Sequence, residues 1–151
     1  MIEQNSRGSR QVQISDPELR DLIKQHEGVK LMPYRDSVGK LTIGVGHNLS
    51  DLGLPISIVE NLFDHDLVNV MDSYCVIFDS AVRSELSYNR QLVLLVMIFN
   101  LGEMGFRRFA KLIKAINSRN YNEAAAEMED SKWFGQVGSR AVELQQMMIK
   151  G

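Results

Sequence analysis

The sequence predicts an α+β fold: one helix, a small sheet, then a mainly helical remainder. Three observations carry this. A well-signed helix ends at residue 28, a period-two alternation runs through 41–46, and apolar residues recur at helical spacing from residue 55 on. Two lobes with a cleft between them are a natural outcome of such segregated elements. The 151 residues are the size of one domain and can bury a core without disulfide or metal support.

Residues 1–14 have no periodicity, and a mobile arm is expected there, ahead of a domain over 15–151. In "SDPELRDLIKQHEG", Ser15 or Asp16 can cap a helix and Pro17 suits its first turn, where no amide donor is needed. Leu19, Leu22 and Ile23 share a face, and Gly28 supplies the left-handed stop, which leaves Glu27 on the last turn. Next, Leu41, Ile43 and Val45 alternate with Thr42, Gly44 and Gly46 after the turn candidate "DSVGK", as in a hairpin or three-stranded sheet. Gly44 and Gly46 let such a strand bend or let another backbone come close.

From Pro55, a helical face of Ile58, Val59, Leu62, Phe63, Leu67, Val70 and Met71 is expected. Residues 88–100 are apolar nearly all round, which reads as a central buried helix, although Val93, Val96 and Ile98 leave a buried strand open. In "GFRRFAKLIKAIN", Phe106, Phe109, Leu112, Ile113 and Ile116 form one face, and Arg107, Arg108, Lys111 and Lys114 fall mostly on the other as a solvated basic face. Two short helices are expected near 121–131 and 139–149.

The net charge of −2 gives no push toward nucleic acid. The longest apolar run, residues 92–99, is far short of the ~20 residues a bilayer span takes, so no stable membrane insertion is expected. The polar N-terminus does not read as a signal peptide. The single cysteine, Cys75, excludes an intrachain disulfide, and its apolar neighbours suggest a buried, inert thiol.

Three chemistries compete for "RDSVGKLTIGVGHN". A phosphate cradle fails because Leu49 stands where a G-x-G-x-x-G pattern needs its third glycine. A metal site fails because His26, His47 and His65 are far apart and form no ligand spacing, so no metal or other cofactor is expected. Paired carboxylates remain. Glu27 ends a helix and Asp36 lies nine residues on, in or beside the first turn of the sheet, with Thr42 on the strand. Glycosidic cleavage needs such a pair, one protonated acid and one charged base or nucleophile. Spacing alone favours the ordinary reading of solvated surface acids, since acids at helix ends and turns are common.

The full string resembles the catalytic signature of the bacteriophage-type lysozymes, glycoside hydrolase family 24. Its E-G, Y-x-D and T-I-G-x-G-H elements match Glu27-Gly28, Tyr34-Arg35-Asp36 and Thr42-Ile43-Gly44-Val45-Gly46-His47 in order and spacing. "LFDHDL", "FNLGEMGFRRF" and "SKWFGQVGSRAVE" resemble the start of the family's long inter-lobe helix, a core segment and the W-x(6)-R ending, so the likeness covers 15 to about 150. The resemblance implies a two-lobed lysozyme-like α+β fold, a small N-terminal sheet lobe and a larger helical C-terminal lobe joined by that helix around a cleft. It makes Glu27 the general acid, Asp36 the charged partner and Thr42 a positioner of the attacking water, with inversion of configuration and carboxyls roughly 6.5–9.5 Å apart. It also implies that Arg140 reaches back to Glu27, that His47 pairs with Asp66, and that Phe99 and Asn100 line the substrate cleft.

The substrate so implied is bacterial peptidoglycan, cut between N-acetylmuramic acid and N-acetylglucosamine. The setting is an endolysin made in the host bacterial cytoplasm, reaching the wall through a holin-type membrane lesion and acting as a monomer. Two alternatives stand beside it. A lytic transglycosylase would use Glu27 without needing a water-activating base. A non-catalytic peptidoglycan-binding relative would keep only the fold.

Overall fold

A computed structural model of the chain describes residues 13–151. The first twelve residues of the expected arm lie outside the described residues. The chain forms two compact units, the first ending at Ile58 and the second running from Val59 to Gly151.

The first unit opens with α1, Pro17–Glu27. Asp16 is its cap: the side chain accepts from the Glu18 amide at 3.0 Å, and Pro17 follows where the missing N–H is no loss. Gly28 ends the helix at φ 73°, and its amide donates to the Lys24 carbonyl at 2.8 Å. Three antiparallel strands follow in sequence order, β1 (Lys30–Arg35), β2 (Leu41–Gly44) and β3 (His47–Asn48). Tyr34 pairs with Thr42 and Thr42 with Asn48. The β1–β2 register slips between Lys30 and Tyr34, where Pro33 has no amide to give to a ladder; β1 is an edge strand, the place such a residue is tolerated. A single helical turn, α2 (Leu49–Leu52), is capped by Asn48, whose side chain accepts from the Asp51 amide at 3.1 Å, and stops at Gly53.

Little of this unit is packed away. No residue of α1 is buried, Leu22 and Ile23 of its apolar face are about half-exposed, and Leu31 and Met32 of β1 lie open. Thr42 is the one buried polar residue among the described residues, at 3% exposure.

The helix α3 (Ile56–Ile77) carries the division between the units in its first turn. Then come α4 (Ser80–Glu85), α5 (Tyr88–Phe106), α6 (Ala110–Asn117), α7 (Tyr121–Glu129), α8 (Lys132–Val137) and α9 (Ser139–Lys150). The polar residue before each of four of these helices stops its first turn from fraying: Asp79, Ser87, Asn120 and Ser131 accept from the amides of Val82, Arg90, Glu123 and Phe134. The second unit has a true core. Val93, Leu94, Met97 and Ile98 of α5 are closed from solvent together with Phe78, Phe106, Leu112, Ile116, Met128 and Met148. Residues 88–100 are thus helical, and the open strand alternative falls.

Other expectations are corrected. The apolar face expected along α3 is mostly open: Phe63, Leu67 and Met71 are exposed, and only Val70 and, a turn on, Tyr74 are buried. Cys75 is exposed, because it stands one residue, about 100° of helix, past the inward-facing Tyr74. The face drawn through Phe106–Ile116 belongs to two helices, since α5 ends at Phe106 and α6 starts at Ala110. Inside α5, Gly102 breaks the helical path at φ 67° and ψ 167°. The short helices α2, α4 and α8 are additions to the expected set.

One side chain gathers three parts of the second unit. The Arg90 guanidinium donates to the carbonyls of Met148 and Ile149 at 2.9 and 3.0 Å, at the end of α9, and lies 3.7 Å from the ring centre of Tyr121 on α7. These are carbonyls that a helix end leaves without partners of its own. Asn89 adds a bond to the Gly151 carbonyl at 2.9 Å.

Candidate active site

Glu27, Asp36, Thr42 and His47 all belong to the first unit. Glu27 is exposed and ends α1, as its place before Gly28 implied. Its carboxylate lies against the backbone at Gly46: a Cβ built there would stand 3.0 Å from Glu27 Oε2. The helix end and the loop after β2 therefore meet at the carboxyl group.

Asp36 opens the β1–β2 turn. Its Oδ1 accepts the amides of Val38 and Lys40 at 3.0 and 2.8 Å. Its own amide donates to the Lys40 carbonyl, and its carbonyl accepts from Gly39, both at 3.0 Å. Oδ1 is thereby fixed by the backbone, and Oδ2 is the oxygen left for chemistry. The buried Thr42 hydroxyl donates to that same Lys40 carbonyl at 3.2 Å. A hydroxyl has one proton and two lone pairs. With the proton given to Lys40, Thr42 keeps its lone pairs for a donor such as water.

The peptide groups of Lys40 tie Asp36 and Thr42 together, while its ammonium is engaged elsewhere, 2.7 Å from Asp51. Sequence reasoning missed both Lys40 and Gly46. The contribution of Lys40 is made by backbone atoms, which its identity does not report. Gly46 was read as a place for another backbone to approach; what approaches is the acid side chain.

His47 sits on β3, opposite Ile43. Its Nε2 is 2.6 Å from the Gly53 carbonyl, an oxygen that only accepts, so Nε2 carries a proton and donates. Nδ1 is the nitrogen left over.

The remaining expected residues lie in the second unit. Phe99, Asn100 and Arg140 line one cavity of about 440 Å³ together with Phe63, whose ring meets Phe99 edge to face at 5.9 Å. Phe99 is 44% exposed, so it is not a core side chain. Asp66 lines a second cavity of about 340 Å³ with Asn69, Ser73, Glu103 and Phe99. The structure thus groups Phe99, Asn100 and Arg140 in one unit, and Glu27, Asp36 and Thr42 in the other. Among the described residues, no three His, Cys, Asp or Glu side chains converge as a metal site, and no helix is long and apolar enough to cross a membrane.

A small three-stranded antiparallel sheet followed by a larger helical unit is the architecture of the lysozyme-like α+β fold. Known proteins give the family. A family model described as "Phage lysozyme" matches residues 24–146. A "SAR-endolysin" of Escherichia phage Mu is 34% identical over 83% of this chain and 75% of its own length. A "Probable T4-type lysozyme 2" of Dictyostelium discoideum is 28% identical over 82% of this chain and 88% of its own length. An "Endolysin" of Salmonella phage P22 is 34% identical over 68% of this chain and 73% of its own length. The chain belongs to the phage lysozyme family, and its activity is that of a lysozyme, a glycoside hydrolase.

Proposed function

We propose that this enzyme is an endolysin-type muramidase. Family membership and the endolysin relatives support a peptidoglycan-lytic enzyme. The finer reading is cleavage of the β-1,4 bond between N-acetylmuramic acid and N-acetylglucosamine, for lysis of a bacterial host. Glu27 protonates the leaving oxygen. Asp36, through Oδ2, supports the oxocarbenium-like transition state and activates water, and the Thr42 lone pairs hold that water. Water attacks from the face opposite the leaving group and configuration inverts. The observation that carries this reading is the Lys40 bridge, which couples Asp36 and Thr42 as one preorganised pair.

Phe99 and Asn100 bind sugar, and Arg140, His47 and Asp66 have supporting roles. The enzyme is made in the host cytoplasm, depends on a holin-type lesion to reach the wall, and works as a monomer. Purified murein digested by wild type and Asp36→Asn tests the mechanism. Wild type is expected to release reducing ends, and Asp36→Asn, whose amide oxygen can still accept the two turn amides, is expected to lose most of that release. Products lighter by one water, the 1,6-anhydro sugars, would mean a transglycosylase, and no release from wild type would mean a binding module.

A further inference from the structure

Gly44, the last residue of β2, and Gly46, two residues on, have nearly the same φ, 68° and 70°. L side chains are strained at both. The space around them differs. A Cβ at Gly44 would meet nothing within 4 Å, whereas one at Gly46 would stand 3.0 Å from Glu27 Oε2, 3.5 Å from its Cδ and 3.6 Å from its Cγ. Backbone freedom therefore explains Gly44 completely and Gly46 only in part.

We infer that Gly46 is a positioning residue for the reaction: its missing side chain lets the Glu27 carboxyl rest against the loop backbone, and this contact sets where the proton is held. The inference rests on the reading of Glu27 as the proton donor. The chemistry of the contact favours it. Glu27 is exposed, and its carboxyl is the far end of a flexible side chain. A Cβ at residue 46 is accommodated when that carboxyl gives way by a few tenths of an ångström. Such a movement costs the fold little. It costs the reaction more, because misplacing a catalytic group by ~1 Å can cost about a hundredfold in rate. The two glycines thus form a comparison: both have positive φ, and only at Gly46 would a side chain stand in the way of the acid.

The experiment compares Gly44→Ala with Gly46→Ala in the full chain, on purified murein. Similar losses of thermal stability are expected. In Gly46→Ala, kcat is expected to fall about tenfold with KM within twofold; in Gly44→Ala, both should stay near wild type. The Glu27→Asp background supplies a second arm. A side chain one methylene shorter withdraws the carboxyl from residue 46, so Gly46→Ala there should cost less than about threefold more. If Gly46→Ala does not fold, Gly46→Asn carries the same Cβ with less strain, since Asn tolerates positive φ. The contact itself is read without activity by the ¹³C shift of the Glu27 carboxyl, which should move in Gly46→Ala and not in Gly44→Ala. Equal rate losses in the two glycine variants, or an unmoved Glu27 shift, would overturn the inference. Full activity in Glu27→Gln would instead overturn the proton-donor reading, while the carboxyl shift would still report the contact.

Discussion

The two units of this enzyme use their residues in opposite ways. In the sheet unit, the proposed site is held by backbone: two amides on Asp36, one carbonyl under Thr42, one carbonyl on His47 and a bare Cα beneath Glu27. Almost no side chain there is closed from solvent. In the helical unit, order comes from side chains packed to zero exposure around α5. Substitutions in the first unit should therefore change rate more than stability, and substitutions in the core of the second should do the reverse.

The largest effect is expected for Glu27→Gln. Loss of a general acid typically costs 10²–10⁴ in rate. Because Glu27 is exposed, stability should stay within ~0.5 kcal/mol. Turbidity clearing and thermal melting of the same sample measure both, and a variant that melts early would break the contrast. Next comes Met97→Ala in the helical core, where the side chain is fully buried. It should lose about 2–5 kcal/mol of stability, read by urea unfolding, while the fraction still folded keeps its specific activity. A smaller loss, ~1 kcal/mol, is expected for Ser87→Ala, which removes the 3.2 Å cap on the Arg90 amide.

The smallest effect concerns pH. The Arg119 guanidinium, bonded to both oxygens of Glu85, holds that carboxyl below its ordinary value of 4.5. A carboxylate with a lowered folded pKa adds stability above the unfolded pKa and loses it as pH falls through the folded one. Melting temperatures of wild type and Glu85→Gln should thus differ slightly at neutral pH and converge below pH 4.5, and the difference should shrink in high salt, since both groups are exposed. Arg119 itself stands in the left-handed region at φ 58°, a conformation few non-glycine residues take, just past the end of α6.

Much of the sheet unit was legible in the sequence because its signals are local. Asp16, Pro17 and Gly28 bracket α1, and the alternation from Leu41 to Val45 marks β2 and the turn after it. Asp36 and Thr42 were legible as types at a spacing; the Lys40 peptide that joins them was not. Glu27 and Gly46 meet across nineteen residues, a distance no periodicity spans. In the helical unit, Phe106, Phe109, Leu112 and Ile116 keep helical spacing across the turn that separates α5 from α6, so the break is silent in the pattern. Gly102 breaks α5 more deeply, yet one glycine in a helical run is too common a sight to predict that. Cys75 misled because its neighbours in sequence are apolar, whereas its neighbours in space are set by the turn of the helix.

The grip of Arg90 on the end of α9 has a kinetic meaning. It joins residues 58 and 59 positions apart, and the Tyr121 ring under the guanidinium adds a third segment between them. Contacts that close so long a stretch form only after the helices they join are in place, so they contribute little to the rate of folding and much to the rate of escape. Arg90 is a latch on the native state: without it the chain should still find its fold at nearly the same speed, and leave it sooner.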